Sequence, residues 1–314
     1  KLCRSLLCKS YQNTIMRIML SGACGPIFES YFKYIKNLNI EVLGVDIREN
    51  QFTKDLLGKN FLLSPSAEND PDSYLIFLKN NINKFDLFFP YSDEEILVLS
   101  KLSNNSALRK KVIVSSEKSI QICNDKKLFQ NFSIENNIPL PADSKVKEKI
   151  IKPLVGRGGR NIFRVNDEKM INPFRNSDDW LVCDFIDGNE YSVDSVSDGK
   201  GKVIDSIARL RIVTKGVSIE SKIHMNNKVI KLAESIVSKL SIFGPANVQI
   251  IEEKGTKNLY VIEVNPRLSG GAIFSALGGM DMIKLTLNLL NNKKNDISIK
   301  NDGEYYYRYW SNTT

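Results

Sequence analysis

Residues 246–271 read ANVQIIEEKGTKNLYVIEVNPRLSGG, and this stretch decides the fold. Two alternating segments flank the turn 254–258 (KGTKN), the pattern of a β-hairpin. With the turn centred on Thr256, Gln249 faces Glu263 and Asn247 faces Asn265. Side chains two residues apart share one strand face at a spacing of ~6.6 Å, so Glu263 and Asn265 point the same way. The opposite face then carries Tyr260, Ile262 and Val264, which suit a core. The polar face gathers amides and a carboxylate, all bearing oxygen donors. Mg²⁺ is hard and octahedral, and takes one or two carboxylates together with phosphate oxygens and water. Arg267 follows Pro266, which ends the strand, at a place where a forked cation would hold a phosphate. A solvent-facing polar strand is the plain alternative. The run Glu263-Val264-Asn265-Pro266-Arg267, with Gly270-Gly271 downstream, is too particular for it.

Upstream of the hairpin the texture is that of antiparallel pairs and one strong helix. Residues 228–240 place Val229, Leu232, Ala233, Ile236, Val237 and Leu240 on one helical stripe, so a helix is expected to pack there against a sheet. Gly244 is read as its stop signal. Strands are expected at 149–152 (KIIK), 180–186, 190–196 and 203–213, with turns at Asp187-Gly188 and 198–201. Lys152-Pro153 runs into Gly156-Arg157-Gly158-Gly159-Arg160, where glycines let backbone N–H groups approach an anion closely. The loop does not match the G-x-x-x-x-G-K-[ST] pattern, so it is not a P-loop. Alone it reads equally well as a flexible turn, and Lys126 alone reads as a solvated lysine near a helix start.

The N-terminal half looks different. Residues 16–21 (MRIMLS) are a short apolar run ending in Gly22-Ala23-Cys24-Gly25-Pro26, followed by a helix-like segment at 27–37 and a strand at 41–45 ending on Asp46. Strand, glycine turn, helix, strand, acidic residue is the βαβ pattern of an open parallel sheet. The third glycine of a dinucleotide fingerprint is missing, so a scaffold role is favoured over dinucleotide binding. Further strands are expected at 86–90 and 112–115, with a helix around 94–102. Asp93 and Glu94 fit its positive N-terminus without any catalytic role. Residues 1–15 are too interrupted by Arg4, Ser5 and Lys9 for a signal peptide, and are set aside as an extension before a body that begins at Met16.

Composition narrows the chemistry. The 314 residues carry 42% apolar and 25% charged side chains, an ordinary globular balance with room for about two domains. No apolar run approaches the ~20 residues of a membrane span, so no membrane partner is expected. The net charge of +8 favours an anionic partner, but without aromatic–basic interleaving it supports no specific nucleic acid. The single histidine, His224, nearly excludes Ser-His-Asp chemistry and multi-His metal sites. Five cysteines with no Cys-x-x-Cys pair read as reduced thiols of a cytoplasmic protein.

Six motifs together resemble the ATP-grasp superfamily, the carboxylate–amine ligases related to carbamoyl-phosphate synthase and the pyrrolysine-biosynthesis ligase. In chain order they are Asp125-Lys126, Ile151-Lys152-Pro153, the loop 156–159, the run 184–194 (DFIDGNEYSVD), Asn247-Val248-Gln249, and Glu263-Val264-Asn265-Pro266-Arg267. The resemblance spans about residues 16–290. It implies an α/β and α+β protein: a Rossmann-like parallel sheet at 16–115, an ATP-grasp domain of two α+β subdomains at 116–290, and a C-terminal segment at 291–314.

The same resemblance implies roles. Lys126 and Lys152 would contact the ATP phosphates from two sides, helped by Gly156, Gly158 and Gly159. The strand Asp184-Phe185-Ile186 would hold adenine, and Glu190 the ribose. Asp184 stands where relatives often carry Glu, one methylene longer, which puts its nucleotide contact in doubt. Gln249, Glu263 and Asn265 would coordinate Mg²⁺ (or Mn²⁺), and glutamine at 249 would weaken one of two metals. Arg267 would sit near the transferred phosphate.

The implied reaction makes an acyl phosphate from a carboxylate and ATP, which an amine then attacks, releasing ADP and phosphate. Catalysis there is positioning and charge neutralisation and needs no nucleophilic side chain. Arg209 and Arg211 alternate along one strand and share a face. They are expected at the acceptor carboxylate or its acyl phosphate, with an exposed basic strand as the alternative. Lys215 and His224 lie in a segment placed near the acceptor, His224 without an assigned role. A degenerate ATP-grasp protein that only binds nucleotide is the second reading, and a homodimer is left open.

Overall fold

The computed structural model describes residues 15–309 except 26, 145, 157–160 and 294–299. The segment set aside as an extension therefore lies almost wholly outside the described residues, as do Gly158, Gly159, the two loop arginines and the side chain of Lys215.

The first layer is a parallel sheet. It runs β1 (Met16–Ser21), α1 (Phe28–Ile35), β2 (Ile40–Asp46), α2 (Gln51–Leu57), β3 (Phe61–Leu63), α3 (Pro71–Asn80), β4 (Leu87–Phe89) and α4 (Asp93–Ser100). The strand order is β3-β2-β1-β4 and each pairing is parallel. Short apolar strands buried on both faces, such as the fully buried Leu87–Phe89, are what a helix-covered parallel sheet requires. Ser92 and Glu95 cap α4 reciprocally, so three acidic residues enter its first turn. The strand expected at 112–115 is not formed. A tight turn at Arg109–Lys111 delivers Val112 to a single parallel bridge with Phe88, and the chain then leaves the sheet.

Two helices, α5 (Glu117–Asn124) and α6 (Lys126–Glu135), lead into a three-stranded antiparallel sheet of β5 (Lys149–Pro153), β6 (Phe163–Val165) and β7 (Trp180–Asp184), with α7 (Glu168–Arg175) against it. The strand expected to run to residue 186 ends at Asp184.

The third sheet is built from β8 (Gly188–Asp198), β9 (Val203–Lys215), β10 (Val217–Ile223), β11 (Phe243–Glu253), β12 (Leu259–Asn265) and β13 (Tyr305–Tyr307), in the order β12-β11-β8-β9-β10-β13. One face is apolar and packs on α8 (Asn227–Lys239) through Val229, Ala233, Ile236 and Val237. Truncating Ile236 to Ala there would cost about 2–5 kcal/mol. The other face is polar and carries the site. α9 (Ala272–Leu277) and α10 (Met282–Leu290) close this side against α1, so the two larger sheets share one core.

The hairpin register is Asn247 with Asn265 and Gln249 with Glu263. Nearer the turn it slips by one, pairing Ile250 with Val261, which makes Ile262 an extra, bulged residue. Two of the three expected core residues change face as a result. Val261 joins Val264 in the core, whereas Ile262 lines a cleft beside Glu263. Period-two reading fails here because a bulge resets which residues share a face.

Candidate active site

Four strands build the floor of the site. Register places Glu263, Gln249, Ser192 and Arg209 in one row across β12, β11, β8 and β9, and Asn265, Asn247 and Asp194 in the next. Direct cross-strand partners share a face, so a polar row is a consequence of register alone. The Glu263 carboxylate accepts from the amide Nδ2 of Asn265, and Gln249 Nε2 stands at 3.5 Å. It is the only carboxylate among these three side chains, and no cluster of three His, Cys, Asp or Glu residues able to hold a metal occurs among the described residues. One carboxylate flanked by two amides suits a single Mg²⁺ held largely by phosphate oxygens and water. It does not suit an all-protein cage.

Above the floor stand two lysines. Lys126 opens α6, where Asp125 caps the helix, and both its backbone N–H and its Nζ donate to the Leu154 carbonyl, at 3.2 and 3.1 Å. That ties Lys126 to the turn following Lys152. Lys126, Gly156, Glu263, Asn265 and Asp93 line one cleft. Burial lowers the Lys126 pKa, and the neighbouring Lys152 lowers it further, against the pull of Glu263, Asp125 and Asp93. Lys152 is 8% exposed, with no ion-pair partner among the described residues. Two neighbouring ammonium groups, one of them unpaired among the described residues, suit an anion.

Arg267 lies at the rim. Its Nε and Nη2 donate to the two carboxylate oxygens of Asp93 at 2.7 and 2.9 Å, and Nη2 also reaches Asn265 Oδ1 at 3.1 Å. Burial opposes its charge, but Asp93 more than offsets this and holds the guanidinium above its ordinary range. Asp93, placed by sequence at a helix start without a role, thus links the parallel-sheet layer to the site.

Several expected residues are differently occupied. The Asp184 carboxylate binds the buried Lys149 Nζ, which also bonds Asp143 at 2.8 Å and the Ser144 carbonyl. Burial raises the Asp184 pKa, and Lys149 and Ser144 overcome it, leaving it below the ordinary value. The backbone N–H groups of Asp184 and Phe185 donate to the Ala142 and Glu148 carbonyls, so any adenine contact there falls to carbonyls and to Ile186. Glu190 pairs with Arg211, which also donates to Gln249 Oε1 at 3.0 Å. Arg211 therefore bridges the expected ribose carboxylate and the expected metal amide.

Arg209 is not on an exposed basic strand. It is fully buried and gives Nη2 to Asp194 at 2.8 Å and Nε to Ser275 at 2.8 Å. A Cβ at residue 271 would come within 2.2 Å of its Nη1, so Gly271 leaves the room this guanidinium occupies. His224 lies on the apolar side, Nδ1 within 2.9 Å of the Tyr191 hydroxyl. Burial pushes the Cys123 thiol in the cleft far up, which removes it as a thiolate nucleophile.

The comparisons with known proteins agree with this architecture. The family model described as "ATP-grasp domain" matches residues 123–271. Residues 123–271 form an ATP-grasp domain. Over 86 residues the chain is 33% identical to the carbamoyl phosphate synthase large chain of Clostridium acetobutylicum, a match covering 26% of this chain but only 8% of that protein. The L-amino acid ligase of Bacillus licheniformis has the same fold at TM-score 0.67 and 18% identity, covering 91% of this chain and 75% of that one. The biotin carboxylase domain dimer of Hydrogenobacter thermophilus 2-oxoglutarate carboxylase, solved with MgADP and bicarbonate, matches at TM-score 0.66 and 15% identity, covering 93% and 74%. The ATP-grasp fold thus extends through both sheets of the site. Among the described residues no helix is long and apolar enough to cross a membrane.

Sequence reading gave no site role to Asp93, Asp194 or Lys149. Asp194 was within reach, since it shares a face with Glu190 and Ser192 by alternation and was already part of a matched motif. Lys149 and Asp93 carry no local signal, because their partners lie 35 and 174 residues away.

Proposed function

We propose that the protein is an ATP-dependent ligase that joins a carboxylate to an amine through an acyl phosphate. The observation that carries the reading is the shared cleft of Lys126, Gly156, Glu263 and Asn265, with Lys152 next to Lys126 and Arg267 at its rim. Two neighbouring ammonium groups, Lys152 without an ion-pair partner among the described residues, beside Glu263 make sense where a triphosphate and a divalent cation complete the charge balance. The L-amino acid ligase fold match and the MgADP-bound neighbour support ATP and Mg²⁺ as the ligands, with Mn²⁺ as a substitute of the same oxygen-loving kind. The catalytic assignments of Lys152, Arg267 and Arg211 and a boundary near residue 115 belong to the same reading.

The chemistry is balanced without a protein nucleophile. A carboxylate oxygen bonds the γ-phosphorus of ATP while the bond from that phosphorus to the β–γ bridging oxygen breaks, releasing ADP. The amine nitrogen then bonds the acyl carbon, phosphate departs with the former carboxylate oxygen, and the nitrogen loses a proton. Lys126 and Lys152 orient the phosphates and neutralise charge, and Glu263 with the amides of Gln249 and Asn265 would hold Mg²⁺. Bound there, Mg²⁺ would supply Lewis-acid stabilisation of charge developing on the phosphoryl oxygens. Arg267, fixed by Asp93, would meet the transferred group through Nη1, which here donates to the Leu268 carbonyl at 3.2 Å.

The neighbour solved as a dimer leaves a homodimer open for this chain. The test of the reading is ADP release from MgATP with carboxylates and hydroxylamine, which traps acyl phosphates as hydroxamates. Hydroxamate formed in step with ADP is the expected result. Nucleotide binding without hydroxamate for any carboxylate supports instead a protein that only binds nucleotide.

A further inference from the structure

A second cavity, of about 220 Å³, lies between the β1–α1 turn and the segment 268–272. Leu20, Ile27, Phe28, Phe89 and Leu268 wall it, together with the Tyr91 ring, over which the Arg267 guanidinium stands at 5.9 Å. The Tyr91 ring is therefore common to this space and to the rim of the phosphate cleft.

The polar lining is unequally committed. The Ser21 hydroxyl donates to Glu95 at 2.5 Å and accepts from the Tyr91 N–H at 2.8 Å. The Tyr31 hydroxyl donates to Asp281 at 3.1 Å, and the Ser269 hydroxyl accepts from Arg209 and from the Gly271 N–H. Two charged residues, Asp46 and Arg48, also line the cavity, and both keep capacity. Asp46 ends β2, and its side chain is 7% exposed. Oδ2 accepts from the Cys24 N–H at 2.9 Å and Oδ1 from the Arg48 N–H at 3.0 Å, which leaves each oxygen a second lone pair. The Arg48 side chain is 73% exposed, its Nε lies 3.9 Å from Asp46 Oδ1, and its guanidinium makes no hydrogen bond among the described residues. So loose and exposed a pair contributes little by itself. An acceptor and a fork of donors thus stand side by side on an otherwise apolar space.

That arrangement selects among occupants. An acidic residue ending the second strand holds a ribose in dinucleotide folds, but there the N–H groups of the glycine turn also face a phosphate. Here the N–H groups of Ala23, Cys24, Gly25 and Phe28 all donate within the protein, so no phosphate cradle remains. A simple apolar acid would leave Asp46 without a cation, and a simple amine would leave Arg48 unused. An α-amino acid carries ammonium and carboxylate on one carbon, opposite charges as closely set as Asp46 and Arg48, and an apolar side chain suits the walls. The volume, below the ~300–1,000 Å³ of drug-sized ligand sites, fits one residue better than a peptide.

We propose that this cavity binds a free apolar α-amino acid, with its ammonium at Asp46, its carboxylate at Arg48 and its side chain among the walls, as the amine partner of the ligation. Arg48 holds the carboxylate that must stay unphosphorylated, and the product keeps it as a free acid. The inference rests on the ligase reading and adds the class of the amine.

The experiment is calorimetric titration of the full chain with L-leucine, D-leucine and L-phenylalanine, beside glycine, 3-phenylpropionate and phenethylamine. The apolar amino acids are expected to bind, and glycine and the two analogues lacking one charge to bind at least about tenfold more weakly. Arg48→Met should weaken the tightest amino acid about tenfold or more and leave phenethylamine within about twofold. Asp46→Asn should weaken the same amino acid and leave 3-phenylpropionate within about twofold. Arg48 is exposed, so its variant keeps the fold whatever Asp46→Asn does to the glycine turn. No binding of any apolar amino acid, equal binding of 3-phenylpropionate and L-phenylalanine, or undiminished binding in Arg48→Met overturns the site. In the hydroxylamine assay with MgATP and a productive carboxylate, the bound amino acid should lower hydroxamate while ADP release persists, and mass spectrometry should find it as the amine half of an amide. An amino acid recovered as its own hydroxamate is the carboxylate donor, which overturns the amine assignment and leaves the ligase reading standing. If no carboxylate yields hydroxamate, the ligase reading fails and the amine role with it, and the calorimetric outcomes alone decide the cavity.

Discussion

Arg267 and Asp93 meet as fork and carboxylate, with parallel hydrogen bonds of 2.7 and 2.9 Å spanning 174 residues of chain. This bidentate pair joins the N-terminus of α4 to the second residue beyond β12, so a helix of the parallel-sheet layer fixes a guanidinium of the ATP-grasp domain. In the proposed reaction Asp93 would act through Arg267, as a positioning residue.

Asp93→Asn should therefore lower kcat by about tenfold while KM for ATP moves less than about twofold, because orientation is lost and nucleotide contacts are kept. Asp93→Glu should restore part of kcat. Steady-state kinetics of the two variants check this, and a change confined to KM for ATP would contradict it.

Glu263→Gln removes the only carboxylate from the Gln249–Glu263–Asn265 row and keeps its shape. Turnover should fall by about 10²–10³, the scale of losing a preorganised electrostatic group, with melting temperature nearly unchanged. Activity near that of the unmodified protein would show that the metal lies elsewhere.

Lys152 is a buried ammonium without an ion-pair partner among the described residues, so its charge is expected to cost stability in the absence of ligand. Lys152→Met should leave the free energy of unfolding equal or higher and weaken MgATP binding by roughly 10–100-fold. Denaturant titration and calorimetry measure the two effects. Destabilisation of the ligand-free protein would show that Lys152 is paired.

Lys149 and Asp184 form the opposite case, a buried pair in which each charge supports the other. Asp184→Asn should destabilise the fold by about 2–4 kcal/mol, with Asp143 retaining part of the pairing. Because the folded Asp184 pKa is depressed, its contribution is complete above the unfolded value and is lost as pH falls through the folded one. The acid limb of the stability curve should accordingly flatten in the variant.

Lys126 gives a pH signature of the opposite sign. Its folded pKa lies below the unfolded value, so folding penalises the ammonium at low and neutral pH, and that penalty disappears as pH rises past the unfolded value. A bound triphosphate raises the folded pKa again. Nucleotide binding should thus take up a proton at alkaline pH, within the window between the free and bound values, and weaken as pH climbs through it. Calorimetry in buffers of different ionisation enthalpy reads the proton directly, and Lys126→Met should abolish it.

How much of this was legible in the sequence follows from how local each feature is. The hairpin register at Asn247 and Gln249 was readable because a turn fixes it from a few residues away. The bulge at Ile262 was not, since an extra residue leaves no mark on an alternating pattern. The parallel layer announced itself through strand, glycine turn and helix, yet Val112 makes one bridge where a strand was expected, because edge pairing depends on where the preceding turn delivers the chain. The motif residues of the site were legible through family resemblance. Their partners were not: Asp93 for Arg267, Lys149 for Asp184 and Asp194 for Arg209 are set by tertiary packing.

The central claim is that a carboxylate oxygen takes the γ-phosphoryl group of ATP, and isotope transfer tests it most directly. With a carboxylate substrate labelled by ¹⁸O, an amine and MgATP, mass spectrometry of the released phosphate should find one labelled oxygen per amide formed. Unlabelled phosphate, or label recovered in AMP, would contradict the acyl-phosphate route.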